Sequence, residues 1–123
     1  MDAQKRILLV DDDPYILLSL EFLMKKAGYK VFVARNGTEA LESVQTAQPD
    51  IVLLDIMMPD VDGYAICRHI RATPDLAGIK VVFLSAKTKE QDIQKGFEAG
   101  ADRYIKKPFS TKDLVKQVEE LLS

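Results

Sequence analysis

A chain of 123 residues can bury one hydrophobic core, and its single cysteine excludes an intramolecular disulfide or a multi-cysteine metal site. Its 17 basic and 19 acidic side chains leave a formal charge of -2, so no global field draws it to nucleic acid or to a membrane surface. A hydrophobic fraction of 47% with 29% charged residues excludes a disordered chain.

No apolar run approaches the roughly 18 residues of a membrane span. Residues 1–6, Met-Asp-Ala-Gln-Lys-Arg, are not followed by a signal-type apolar region and cleavage site. With one cysteine, Cys67, in a chain of this kind, a reducing, cytoplasmic location is expected.

Ile7 to Val10 is an apolar run that stops at Asp11-Asp12-Asp13-Pro14, a pattern that predicts a strand, an acidic loop and a helix start. Asp13 suits the capping position and Pro14 the first helical position, where no amide hydrogen is missed. Ile16, Leu17, Leu20, Leu23, Met24 and Ala27 then recur at helical spacing, and Gly28 ends the helix. Tyr29 to Ala34 predicts a second strand. Asn36-Gly37-Thr38 turns into a helix with Ala40, Leu41 and Val44 on one side, ended by Gln48-Pro49-Asp50.

Ile51 to Leu54 is too short and too apolar for a surface helix, and it leads through Asp55 to Met58-Pro59. It predicts a buried parallel strand that delivers the Asp55 carboxylate to its C-terminal end. In an open α/β sheet that end faces the ligand crevice. Taken alone, Asp55 could equally begin a turn before Pro59. A loop over residues 59–63 precedes a helix from Tyr64 to Ala72 that buries Ile66 and Ile70.

Lys80 to Leu84 predicts a fourth strand ending in Ser85-Ala86-Lys87. A helix follows from about Lys89 to Ala99, with Ile93 and Phe97 four apart, then Gly100. Asp102 to Ile105 predicts the last strand. After Lys106-Lys107-Pro108-Phe109, Ser110 to Asp113 begins a final helix carrying Leu114, Val115, Val118, Leu121 and Leu122. Five βα units joined by right-handed crossovers make a parallel sheet between two layers of helices. One domain over residues 1–123 is expected, and no linker or repeat marks a second.

In such a sheet the C-terminal strand ends share one rim. Asp11 and Asp12, Asp55, Ser85 and Lys107 all fall there. Two like charges 4 Å apart repel by about 4 kcal/mol at an effective dielectric near 20, so the acids need a positive neighbour. All-oxygen ligands without histidine or thiolate favour Mg2+. With that ion beside it, Asp55 is a candidate nucleophile toward phosphorus, with Ser85 and Lys107 placed to hold the phosphoryl oxygens.

These residues resemble the response-regulator receiver domain of two-component signal transduction, a chemotaxis-regulator-like unit, over nearly the whole chain. The resemblance lies in the ordered set Val10-Asp11-Asp12-Asp13-Pro14, Leu54-Asp55-Ile56-Met57-Met58-Pro59 with Asp62-Gly63, Ser85-Ala86, and Lys107-Pro108-Phe109. It implies a flavodoxin-like (βα)5 doubly wound sandwich with strand order 2-1-3-4-5. It implies that Asp55 is the phosphorylated residue, that Asp11, Asp12, Asp55 and the backbone carbonyl of Met57 hold Mg2+, and that Ser85 and Tyr104 are the switch positions. A lysine joined to proline through a cis bond selects Lys107 over Lys106.

The resemblance further implies a signalling switch rather than an enzyme. Its phosphoryl donor would be a sensor histidine kinase or a histidine phosphotransfer protein, and its output a downstream effector protein or output domain, with no direct nucleic-acid or membrane contact by this chain. Ser85 stands where many members have threonine, and Arg103 where members that dimerise through the fourth and fifth helices are often acidic. The chain ends just after its last helix, as a stand-alone regulator or the receiver portion of a longer protein would.

Other readings fit less well. A flavin or nucleotide binder of similar architecture would offer glycine and hydroxyl residues after the first strand, where this chain has Asp11-Asp12-Asp13. A phosphatase with an aspartate nucleophile would place a second acid at the position of Met57. A calcium loop with Gly63 sixth would have Met58 first and His69 twelfth, so ligands are missing. His69 reads as a surface residue, Cys67 as a partly buried packing residue, and the methionines as core filler. A receiver-shaped interaction module that takes no phosphoryl group is the remaining alternative.

Overall fold

The computed structural model describes residues 4–123, so the reading of residues 1–3 as carrying no leader lies outside the described residues. Strands β1 (Arg6–Val10), β2 (Lys30–Ala34), β3 (Ile51–Leu54), β4 (Lys80–Ser85) and β5 (Arg103–Lys106) alternate with helices α1 (Pro14–Lys26), α2 (Gly37–Thr46), α3 (Gly63–Ala72), α4 (Glu90–Glu98) and α5 (Thr111–Leu122). All pairings are parallel, in the order β2-β1-β3-β4-β5. The expected flavodoxin-like architecture is the one observed.

The central strands β1, β3 and β4 carry unbroken apolar runs because both faces of the sheet are covered there, while the edge strands β2 and β5 are only partly buried. Leu8, Val10, Val52, Leu54, Val81 and Phe83 point to the side that holds Ala40 and Val44 of α2 and Ile66 and Ile70 of α3. Ile7, Leu9, Ile51, Leu53, Val82 and Leu84 point to the side that holds Leu17, Leu20 and Met24 of α1 and Leu114 and Val118 of α5. No helix among the described residues is long and apolar enough to cross a membrane.

Side chains fix most helix starts. Asp13 accepts from the Tyr15 amide at 2.9 Å, Asn36 from Glu39 at 2.8 Å, Asp62 from Ala65 at 2.8 Å and Ser110 from Asp113 at 3.2 Å. Helix α4 lacks such a cap, because Lys89 at its start has no acceptor to offer. Gly28 and Gly100, at φ of 99° and 109°, end α1 and α4 in the left-handed region that glycine adopts freely.

Several boundaries differ from the sequence-based expectation. Strand β5 begins at Arg103: the Asp102 amide still donates to the Val81 carbonyl at 2.8 Å, but the Val81 amide is taken by the Asp102 carboxylate, which also accepts from Arg71, both at 2.8 Å. Ser85 is the last residue of β4, and Asp55 lies one residue beyond β3. A 3-10 turn at Pro74–Leu76 was not expected. Ala27 caps α1 and is exposed. Phe97 is 48% exposed, because α4 approaches the sheet through Gly96, its one buried residue. Cys67 is wholly buried rather than partly, with its thiol donating to the Ala99 carbonyl at 3.3 Å. Met24 fills the core, whereas Met57 is 60% exposed.

The chain leaving β3 is held against the start of α3. A Cβ on Gly63 would lie 2.5 Å from the Asp55 carbonyl oxygen and 2.9 Å from Ile56 Cα, and backbone offers no flexible side chain to swing aside. Gly63→Ala is therefore expected to lower unfolding free energy by about 1 to 3 kcal/mol in urea titrations, in the range of other overpacking substitutions. An unchanged midpoint would mean that the loop after β3 is not set by this contact.

Candidate functional site

Parallel register brings the acids together. Val10 lies opposite Leu54, so the next residues, Asp11 and Asp55, leave neighbouring strands side by side. The ladder extends to them, with the Asp55 amide donating to Val10 at 2.9 Å and the Asp11 amide to Ala34 at 3.2 Å. Asp12 follows and is exposed, while Asp11 and Asp55 are buried. One carboxylate oxygen from each of the three lies within 4.8 Å of the others.

Lys107 reaches the same place from far along the chain. Its amide donates to the Ser85 carbonyl at 2.9 Å, and the peptide bond to Pro108 is cis. Its Nζ lies 2.8 Å from Asp11 Oδ2 and 3.9 Å from Asp55 Oδ1. The hydrogen bond therefore goes to Asp11, and the ammonium is the positive neighbour that the acids required. Asp11 is doubly engaged, since its Oδ1 accepts from the Asp13 amide at 2.9 Å.

Burial, and next the Asp11 charge, push the Asp55 carboxyl up to about 6, against the opposing pull of Lys107 and of the Ile56 amide that donates to its Oδ1 at 2.9 Å. One ammonium among three carboxylates still leaves negative charge in excess. The donor set is carboxylate oxygen without histidine or thiolate, a composition that fits a hard divalent cation. Met57 lies in the loop beyond β3 with its side chain toward solvent, so only its backbone carbonyl is suited to join that set.

Ser85 is buried at the neighbouring strand end, where its Oγ accepts from the Lys87 amide at 3.0 Å. Tyr104, on β5, donates its hydroxyl to the Lys87 carbonyl at 2.7 Å. The two switch candidates thus meet at the backbone of one residue, Lys87. Burial raises the Tyr104 phenol above its ordinary value.

Two supporting residues were not singled out from the sequence. Asp60 accepts from the Gly37 and Thr38 amides at 2.9 Å each and from the Thr38 hydroxyl at 2.7 Å, which ties the loop after β3 to the start of α2. Those bonds, led by the one from the Thr38 hydroxyl, hold its carboxyl well below the usual range. Tyr64 donates to the Asp92 carbonyl at 3.0 Å. A surface aspartate and one tyrosine on the buried face of an amphipathic helix carry no spacing signal for either contact. Asp62 caps α3, and His69 is exposed, as its sequence position suggested.

Residues 7–119 match the family described as the response regulator receiver domain. Over 123 residues the chain is 42% identical to the DNA-binding response regulator MtrA of Mycolicibacterium smegmatis, covering 99% of this chain and 53% of that protein. The chain thus spans about half the length of this curated relative. Among solved structures, a candidate response regulator from Chloroflexus aurantiacus superposes with a TM-score of 0.92 at 35% identity, over 98% of each chain. The BeF3-activated receiver domain of DrrB does so with a TM-score of 0.83 at 32% identity, again over 98% of each.

Because the Asp55 pKa is raised on folding, its charge opposes folding fully above about 6 and not at all below the ordinary carboxylate value. In metal-free buffer at pH 7.5, Asp55→Asn is expected to be more stable than the parent by about 1 to 3 kcal/mol. The gap should shrink as pH falls through 6, and millimolar Mg2+ should raise the parent's melting temperature more than the variant's. Scanning calorimetry across pH, with EDTA or Mg2+, reads all three. Equal stability at every pH would rule out repulsion at the rim.

Proposed function

The chain belongs to the response regulator receiver domain family, and from that membership we propose that it takes a phosphoryl group onto Asp55 from a phosphohistidine of a partner protein. The observation that carries this reading is Lys107 Nζ lying 2.8 Å from Asp11 and 3.9 Å from Asp55, a charge pattern suited to engaging a dianionic group once it is on the Asp55 carboxylate. Asp11, Asp12, Asp55 and the Met57 carbonyl would hold Mg2+. Bound there, the ion neutralises negative charge on the phosphoryl oxygens.

An Asp55 oxygen attacks phosphorus, forming an O–P bond as the P–N bond of the donor breaks and its electron pair passes to the imidazole nitrogen. Lys107 is within reach to shift from Asp11 toward the incoming oxygens. Ser85 accepts from Lys87 through its Oγ and keeps its own hydrogen to donate to a phosphoryl oxygen. A group bearing nearly two negative charges at Asp55 draws both inward. Because Tyr104 is bonded to Lys87, two residues after Ser85, that movement is transmitted to the face made by α4, β5 and α5. Coupling of this kind is typically worth about 1 to 3 kcal/mol, a shift between two arrangements rather than a refolding.

The partner would be a sensor histidine kinase or histidine phosphotransfer protein. In support, Tyr15, Leu18 and Phe22 form an exposed apolar stripe on α1, at 81%, 67% and 71% exposure. Tyr15, at the start of the stripe, also lines a groove of about 630 Å3 that reaches Ala86, Lys107 and Phe109. A donor seated there meets the acceptor rim directly. The output would be an effector protein or an output domain. For MtrA, DNA binding is a property of a protein about twice the length matched here.

Acetyl phosphate with Mg2+, followed by intact mass spectrometry, tests the reading. One phosphoryl group should add to the parent and none to Asp55→Asn. Labelling that persists in Asp55→Asn, or none in the parent, would favour a receiver-shaped interaction module. Lys107→Ala should still take the group, yet lose the change in amide exchange on α4 that phosphorylation produces in the parent. An unaltered response would remove Lys107 from the switch.

A further inference from the structure

Helix α4 is held in an unusual way. It has no side-chain cap, buries only Gly96, and turns Phe97 toward solvent, so its own apolar contacts fix it weakly. Two tyrosine hydroxyls, one from β5 and one from α3, instead hold the main chain around its start. Tyr104, from β5, donates to the Lys87 carbonyl at 2.7 Å, and Tyr64, from α3, donates to the Asp92 carbonyl at 3.0 Å.

The rings below those hydroxyls are rigidly placed. Phe83 of β4 packs edge-on to Tyr64 at 5.6 Å between centroids and tilted against Tyr104 at 6.0 Å. A Cβ on Gly96 would lie 3.0 Å from the Tyr104 ring and 3.2 Å from Phe83, so α4 rests directly on this aromatic platform. Lys95 adds a second contact from α4 to Tyr64, with its Nζ 4.7 Å from the ring centroid. Burial, and next the neighbouring Tyr104 phenol, pushes the Tyr64 phenol up to about 12.

We propose that Tyr64 is a positioning residue of the switch: its hydroxyl holds the first turn of α4 in the arrangement seen here, and phosphorylation at Asp55 must loosen that bond for the helix to move. The role depends on Asp55 being the acceptor, since the bond then opposes the change that phosphorylation drives. Segment 87–92 is pinned near both ends, at Lys87 by Tyr104 and at Asp92 by Tyr64. A cavity of about 540 Å3 bordered by Met57, Asp62, Tyr64, Lys87 and Lys95 leaves room for that segment to shift beside the acceptor loop. Removing the Tyr64 hydroxyl while keeping its ring should favour the phosphorylation-ready arrangement by the several-fold that one neutral hydrogen bond is worth.

Tyr64→Phe separates the hydroxyl from the packing. Amide hydrogen exchange of the unphosphorylated protein should rise several-fold over residues 88–95 while β1 and β3 match the parent, and labelling by acetyl phosphate with Mg2+ should begin several-fold faster. Exchange on α4 equal to the parent's, an increase spread evenly over the sheet, or a labelling rate unchanged from the parent's would overturn the proposal. A parent protein that takes no label would instead defeat the acceptor reading, and the exchange comparison would still decide whether Tyr64 anchors α4.

Discussion

Two buried carboxylates, Asp11 and Asp55, emerge from adjacent parallel strands at the same level, and the molecule must manage their repulsion. The register leaves no choice, because in a parallel sheet equal positions on neighbouring strands are neighbours in space. The protein meets part of the demand with Lys107, whose ammonium bonds to Asp11 and faces Asp55 across 3.9 Å. A third carboxylate, Asp12, keeps the rim negative overall. An acidic rim with one fixed ammonium suits a divalent cation, and a one-residue slip of the strands would turn these side chains to the other face and disperse it.

Holding that rim in place falls to short-range contacts of the loops. Gly63 lies so close to the Asp55 carbonyl that any side chain would displace it, and Asp60 fastens the same loop to the start of α2. On the other side, the Ser85 carbonyl accepts from the Lys107 amide, which ties the lysine to the end of β4. The loop after β3 is therefore tightly specified, while α4 hangs from two phenol hydroxyls, a glycine contact and the Lys95 ammonium over the Tyr64 ring. That contrast in restraint suits a site that must stay in register while an adjoining surface changes.

How much of this was legible varied by residue. Ile7 to Val10 and Ile51 to Leu54 announced buried strands because covering both faces of a sheet removes the polar alternation that half-exposed strands retain. Asp11, Asp55 and Ser85 were identifiable because each closes an apolar run and the parallel sheet gathers such positions, whereas Lys107 was picked out from Lys106 only by the lysine-proline pattern of the family the chain resembles. Phe97 misled, because helical spacing cannot tell whether a ring or the neighbouring Gly96 makes the approach to the sheet. Met57 misled for a similar reason: its composition suggests burial, and its loop faces outward.

The amino-acid sequence by itself determined the alternation of strands and helices, the acids and lysine at the strand ends, and the family, because these depend on local periodicity and on order along the chain. Only the tertiary structure decided that Lys107 bonds to Asp11 rather than Asp55, that the Asp102 carboxylate takes both Arg71 and the Val81 amide, and that Tyr64 and Tyr104 hold the backbone around α4. Each of those depends on distances of a few tenths of an ångström between residues well separated along the chain. Hydrogen bonds discriminate at that scale, and the spacing of residue types does not.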